Sequence, residues 1–316
     1  MAAANRAIKH PKVTLGLRLK AWWEGYEIKV RPKGQGAGAE EGSAGGRGGA
    51  LGPDPWSEDR IALVESIWGE GCSAPGDAAY LLELVKPFAL TEHSNVIEVG
   101  AGLGEAVRQI AMGFKCRVKG YEPDPKLVAA GMATSAARQL STRAKILPWE
   151  SEDFPPEPES VDCILSKDFF YLVEDKRTLL TALSEALKRP GQLLFTDYVL
   201  ASETGPRTAI DAWAEVDPEA AHLWSVGQYE ALFAQLGLEH RISEDISDQL
   251  KQRVVKGWEQ FLGSGRGGGG SDPASAVMVR EVEIWTRRVA ALQSGELRAY
   301  RFFVLKRHEG QRLATS

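Results

Sequence analysis

Between residues 76 and 307, short apolar runs alternate with longer stretches whose apolar positions recur every three or four residues. The runs read as strands over Asn95–Val99, Arg117–Tyr121, Ala144–Leu147, Val161–Leu165, Gln192–Tyr198, Leu238–Glu244 and Tyr300–Lys306. Helical patterns fall at Gly76–Phe88, Gly104–Gly113, Pro125–Ala137, Lys176–Lys188 and Val226–Leu236, as in the Leu179, Leu180, Leu183 and Leu187 stripe. Two more, Gln249–Phe261 and Val277–Leu292, lie in a helical insertion of about 248–297 before the last strand. Strands alternating with helices predict an α/β fold: a Rossmann-like, seven-stranded, mostly parallel sheet with helices on both faces.

Outside this span the pattern fails. Residues 34–55 hold nine Gly and two Pro in 22 positions, a composition that buries too little apolar surface to fold, and they read as a linker. This divides the chain into an N-terminal segment 1–33, the linker, one domain over 56–307 with a glycine-rich loop at 263–271, and a tail 308–316. The net charge of -5 conceals an asymmetry: residues 1–33 carry +6, leaving -11 for the remainder. An acidic body argues against nucleic acid as a partner, because binding a polyanion draws on clustered Lys and Arg. Leu15, Leu17, Leu19, Trp22, Trp23 and Tyr26 lie among Arg18 and Lys20, so residues 15–26 read either as a peripheral membrane contact or as a lid or homodimer arm. Three cysteines without CxxC spacing point to no metal site and to a reducing, cytoplasmic setting, membrane-associated if residues 15–26 touch a bilayer. The chain has no apolar run long enough to span a membrane and no signal-peptide core.

The chemistry concentrates at strand ends. Glu98-Val99-Gly100-Ala101-Gly102-Leu103-Gly104 closes the first strand and opens a helix, so backbone N–H groups and a helix N-terminus can approach a ligand. The spacing is G-x-G-x-G, with Glu105 where the dinucleotide fingerprint G-x-G-x-x-G departs from it. Alone, this loop leaves open a dinucleotide site or a plain tight turn. Glu122 ends the second strand, where an acid can accept ribose hydroxyls or simply face water. Trp149-Glu150 after the third strand would flank an adenine, with packing as the alternative for Trp149. Ser166-Lys167-Asp168 follows the fourth strand at the carboxyl edge of the sheet, where doubly wound folds bind ligands. Phe169-Phe170-Tyr171 either contributes Tyr171 to the site or packs beneath it.

Ile67-Trp68-Gly69-Glu70-Gly71, Pro75-Gly76, the glycine loop, Ser166-Lys167-Asp168, Val173-Glu174-Asp175-Lys176 and Leu193-Leu194-Phe195-Thr196-Asp197-Tyr198 resemble the phosphoethanolamine N-methyltransferases in order and spacing, over roughly residues 56–307. The resemblance implies a class I S-adenosylmethionine-dependent methyltransferase. It implies cofactor contacts by Ser73, Glu98, Gly100, Glu122, Pro123 and Lys167, to which Gly102, Gly104, Trp149 and Glu150 are added from the loop and strand ends. It also implies Asp168 and Tyr198 on the substrate side. For an amine nucleophile, Asp168 would orient the group and assist proton loss, with Tyr171 or Tyr198 as hydrogen-bond partners. The family's tyrosine and histidine dyad is absent, its positions reading Trp56 and Leu172. Its phosphate clamp falls in Trp213 to Ala221, which here carries Glu215, Asp217 and Glu219, acids that would repel a phosphate. Those acids either favour a cationic or amine substrate or form a solvated face.

The expectation is in-line methyl transfer from S-adenosylmethionine to a small-molecule or lipid-like acceptor, an amine being favoured. A non-catalytic binding or assembly protein built on the same fold is the alternative, and a nucleotide-dependent oxidoreductase a third.

Overall fold

The computed structural model describes residues 55–152, 154–219, 221–264 and 273–308. The expectations for residues 1–54, the glycine-rich stretch from 265 and the tail from 309 lie outside these residues. In chain order the elements are α1 (Glu58–Trp68), α2 (Ala78–Leu84), β1 (Asn95–Val99), α3 (Glu105–Phe114), β2 (Arg117–Glu122), α4 (Pro125–Ala137), β3 (Ala144–Pro148) and β4 (Val161–Lys167). There follow α5 (Lys176–Ala186), β5 (Leu187–Leu200), α6 (Thr208–Ala214), β6 (Trp224–Ser225), α7 (Val226–Gln235), β7 (Glu239–Asp245), α8 (Ser247–Gly263), α9 (Pro273–Ser294) and β8 (Leu297–Lys306). Short 3-10 turns lie at Lys86–Phe88 and Phe170–Leu172.

The sheet runs β3-β2-β1-β4-β5-β8-β7, with the two-residue β6 paired to β5. β3 to β5 are mutually parallel, while β8 is antiparallel to both β5 and β7. The seven expected strands are all present. The eighth, β6, is too short to leave a period-two signature. β1 turns outward to β2 and β3, and the chain then crosses back to β4, so the strand order reverses between β1 and β4. Ligand crevices of open α/β sheets form at such a reversal, beyond the carboxyl ends of the strands.

Successive residues of the central strands enter opposite cores. Val96 and Leu194 pack with α2 and α3 residues such as Leu81, Val107 and Ile110, while Ile97, Leu193 and Phe195 pack with Leu180, Leu183, Tyr229 and Phe233 of α5 and α7. Burial on both faces explains why these strands read as continuous apolar runs. The helices start where side chains cap them: Ser57, Asp77, Asp124, Asp175 and Ser225 each accept a backbone N–H of the first turn. α3 begins instead at Gly104 with no side-chain cap, leaving its N-terminus to the loop before it.

A third cluster sits over the carboxyl edge of the sheet, where α1, α6, α8 and α9 contribute Val64, Trp68, Trp213, Val254, Trp258, Trp285 and Val289. Trp68 stands edge-on to Trp285 at 5.0 Å and to Trp258 at 6.0 Å, tying the three longer helices together. The sequence reading located α8 and α9 as an insertion but missed α1 and α6. No helix among the described residues is long and apolar enough to cross a membrane.

Gly120 of β2 sits where the loop after β1 and helix α3 press on the sheet. A Cβ there would lie 2.6 Å from the Ala101 Cβ and 2.7 Å from Val107 Cγ2. Gly120→Val therefore sets a better strand former against a closed contact. Overpacking of this kind costs about 1–3 kcal/mol, more than the β-propensity gain of under ~1 kcal/mol. Urea unfolding should show a lower midpoint; an unchanged or raised one would mean that the contact relaxes freely.

Candidate functional site

β1 delivers Glu98 to its carboxyl end, fully buried, and the chain turns away through Gly100, Gly102 and Gly104 at φ 75°, 54° and 83°. These conformations favour glycine, and at Gly100 space requires it too: a Cβ would fall 2.0 Å from the Phe169 ring. Glu122, at the end of β2, closes the turn. Its Oε2 accepts the Gly102 N–H at 2.7 Å and its Oε1 the Asp124 N–H at 3.0 Å. Burial pushes the Glu122 carboxyl up to about 7. The same cause pushes Glu98 up to about 8, even though it accepts the Val107 N–H at the start of α3. Glu98 Oε2 has no partner among the described residues, and a buried orphan acceptor in a cavity wall is a place for a donor or cation from outside the chain.

β4 ends one strand away with Lys167 and Asp168. Asp168 Oδ1 accepts the Thr196 hydroxyl at 2.7 Å, and Oδ2 pairs with Lys167 Nζ at 3.1 Å. Asp168 adopts a left-handed φ of 51°, strained for a non-glycine residue and typical of positions held for function. Burial opposes its ionisation, but Lys167 and the Thr196 hydroxyl outweigh that and hold its carboxyl below the usual range. It is therefore a fixed, charged acceptor and a weak base. Beyond it Tyr171 and Tyr198 meet edge to face at 5.0 Å. Burial pushes both phenols upward, so at neutral pH they are hydroxyl donors.

These groups share one cavity of about 330 Å³, the scale of small-molecule sites. Ser73, Glu98, Gly100, Gly102, Glu122, Pro123 and Lys167 line one end, Tyr171 and Tyr198 the other, and Asp168 lies between. Its titratable lining contains seven acids and three bases, a balance that suits a cationic ligand.

A family model described as a methyltransferase domain matches residues 76–241, which hold the glycine loop, β1 to β6 and Asp168. The chain belongs to this methyltransferase domain family. Phosphoethanolamine N-methyltransferase 1 of Arabidopsis thaliana is 24% identical over 210 residues, 64% of this chain and 42% of that protein, so the chain spans less than half of this relative. Phosphoethanolamine N-methyltransferase 2 of Haemonchus contortus, solved with S-adenosyl-L-methionine, superposes with a TM-score of 0.70 at 19% identity, covering 78% of this chain and 57% of that one. A putative sarcosine dimethylglycine methyltransferase from Galdieria sulphuraria gives 0.66 at 16% identity over 79% and 99%. These likenesses in structure are likenesses of fold. The expected methyltransferase class, and S-adenosylmethionine as its cofactor, are borne out by the family match.

Three expected cofactor residues lie apart from this methyltransferase cavity. Gly104 packs under the loop, a Cβ there meeting Ile146 at 2.5 Å, so it serves closure of the turn. Trp149 stacks near Phe154 and Phe169, at 4.5 and 5.6 Å, and lines an adjoining recess with Pro123, Phe169 and Leu172. Glu150 is exposed and lines neither space. The stretch expected to repel a phosphate also looks different in space. Asp217 does not stand free: its Oδ2 pairs at 2.5 Å with Arg288, a buried guanidinium that lines the cavity. Glu215 is exposed.

Arg288 and Arg60 line the cavity and were not singled out from the sequence. Glu281, Ile284, Trp285 and Arg288 all line the cavity, and their i, i+3, i+4, i+7 spacing is one face of α9. The spacing of that stripe is present in the sequence, where Val277–Leu292 reads as a helix of the insertion with no face assigned. Arg60 of α1 pairs with Glu281 at 2.9 Å and lies over the Trp56 ring at 4.2 Å.

Two measurements probe this geometry. Gly100→Val should displace Phe169 and weaken S-adenosylmethionine binding on the order of tenfold or more in calorimetry. Unchanged affinity would reject this loop as the cofactor site. Glu98 and Glu122 have folded-state carboxyls raised above their unfolded values, so their contribution favours folding below the ordinary carboxylate range and is lost as pH rises through about 7 and 8. The ligand-free midpoint should fall between pH 6 and 8.5 while binding of the cationic cofactor tightens, and Glu98→Gln should flatten both trends.

Proposed function

We propose that this chain is an S-adenosylmethionine-dependent methyltransferase whose acceptor is a small molecule, with an amine as the methylated group. The reading rests on one juxtaposition: the ionised Asp168 carboxylate lies in the same cavity as the glycine loop and the unpartnered Glu98 oxygen. Relatives named for phosphoethanolamine, and a fold neighbour named for sarcosine and dimethylglycine, support an amine over other nucleophiles.

The residues present fit the cofactor. Glu98 offers a buried acceptor, Glu122 a carboxylate at the strand end, and the backbone of Gly100 to Gly102 a close approach, with Ser73 and Lys167 on the rim. Bound there, S-adenosylmethionine supplies an electrophilic methyl group on a sulfonium, transferred by in-line displacement. The protein's own task is alignment. Asp168, locked by Lys167 and Thr196, accepts an N–H of the acceptor and so fixes the direction of the nitrogen lone pair. Its low proton affinity makes it an orienting group, and the proton leaves to solvent after transfer. The Tyr171 and Tyr198 hydroxyls bound the far side. Lipid-like acceptors, contact with a bilayer and a homodimer find no support among the described residues and are not part of this proposal.

A screen of amine, phenol and lipid acceptors for S-adenosylhomocysteine release tests activity and nucleophile together; turnover confined to phenols or lipids would remove the amine. Asp168→Asn should lower kcat by roughly 10- to 100-fold, less than the loss of a full general base, with cofactor affinity within about twofold of the parent. Full activity would make Asp168 structural.

A further inference from the structure

At the acceptor end of the cavity, five charged side chains meet: Arg60, Asp217, Glu219, Glu281 and Arg288. Their pairing is unequal. Arg60 faces Glu281 at 2.9 Å, and Arg288 faces Asp217 at 2.5 Å. Arg288 is further enclosed by the rings of Tyr171, Tyr198, Trp213 and Trp285, with centroids 4.7 to 5.7 Å from the guanidinium carbon. Neither arginine is thus a free anion clamp. Glu219 forms no ion pair among the described residues, although Trp56 holds it by a hydrogen bond. It lines the cavity and also the adjoining recess with Trp149 and Phe169, so it stands where the two spaces meet. It is the one surplus charge of the group.

We propose that Glu219 reads the charge of the methyl acceptor, holding an amine in the acceptor end as its ammonium form, which gives one proton to water before the freed lone pair meets the methyl carbon, and selecting against acceptors that carry an acidic group. This deepens, and for the identity of the ligand rests on, the methyltransferase reading. Burial, and after it the neighbouring Asp217 charge, raises the Glu219 carboxyl above its ordinary range, the condition of an acid waiting for a counter-charge. A ligand cation supplies that counter-charge. A ligand anion would add negative charge to a group in which the carboxylates of Asp217, Glu219 and Glu281 already outnumber the guanidiniums of Arg60 and Arg288 that also act on Glu219, with Glu122 close enough to feel the Glu219 charge. Trp56 and Tyr171 in the same wall, each with one arginine already against its ring, add apolar edges that suit the alkyl groups of an ammonium. The acceptor class is therefore a cationic alkylamine without a carboxylate or phosphate.

The experiment titrates the full chain, with and without S-adenosylhomocysteine, using tetramethylammonium and its carboxylated analogue trimethylglycine as probes that accept no methyl group. The cation should bind the parent protein, and the carboxylated analogue should bind on the order of tenfold more weakly. Glu219→Gln should weaken cation binding on the order of tenfold while leaving S-adenosylhomocysteine affinity unchanged, and Glu219→Asp should retain most of it. No binding of the cation, equal binding by the Glu219→Gln variant, or tighter binding of the carboxylated analogue overturns the proposal. Failure of S-adenosylhomocysteine to bind, with the cation still held through Glu219, instead removes the methyltransferase reading and leaves the cation site.

Discussion

The buried guanidinium of Arg108 fixes the geometry on which the site depends. Its Nη2 donates to the Leu103 carbonyl of the glycine loop at 2.8 Å, its Nη1 to Gly131 O of α4 at 3.1 Å, and its Nε to Glu105 at 3.1 Å. Glu105 in turn binds Arg138, at 3.0 Å, so the charge inside the protein is balanced where a lone buried guanidinium would be costly. One side chain thus ties the loop after β1, the first turn of α3 and the helix after β2. The Gly102 N–H that Glu122 accepts, and the Val107 N–H that Glu98 accepts, keep their places only while this junction holds.

From that junction the cavity divides by origin. The end proposed for the cofactor is built from strand ends and the turns that follow them, and its side chains are spaced by the 4.7–4.9 Å separation of neighbouring strands. The acceptor end is built from α1, the strap through Asp217 and Glu219, and α9, elements held by tryptophan packing rather than by a hydrogen-bonded ladder. Asp168 sits at the seam, with its N–H on the Thr196 carbonyl and its carboxylate on Lys167 and the Thr196 hydroxyl. A group placed there is as rigid as the sheet and still faces the variable half.

The same division governs what could be read from the chain. Every strand of the main path was legible, because a strand buried on both faces must be apolar at successive positions, as Val96, Ile97 and Val99 are. Glu98, Glu122 and Asp168 were legible because acids that terminate such runs are exceptional. Glu150 was misplaced, since it lies two residues past the end of β3, in a turn into which no periodicity extends. The helices α1 and α6 were missed, for α1 carries the buried charge of Arg60 within its apolar face and α6 is seven residues long with only Ile210 and Trp213 buried. Arg288 was hidden for a deeper reason: a buried arginine resembles a surface one until the carboxylate that neutralises it, 71 positions away at Asp217, is placed beside it.

That last point bears on how acceptor choice can change in such a fold. Around the acceptor end, charge is set by pairs drawn from distant segments, so altering one member leaves its partner uncompensated in a low-dielectric wall, where breaking a buried pair costs about 3–5 kcal/mol. Arg60 with Glu281 and Arg288 with Asp217 are therefore conservative by physics: neither member of a pair can be lost alone without injury to the cap. Glu219 carries no such debt to a partner, and its replacement changes the net charge of the pocket without orphaning a cation among the described residues. On the proposed role of Glu219, selectivity for the acceptor's charge is free to vary at this position, while the paired arginines hold the wall that surrounds it.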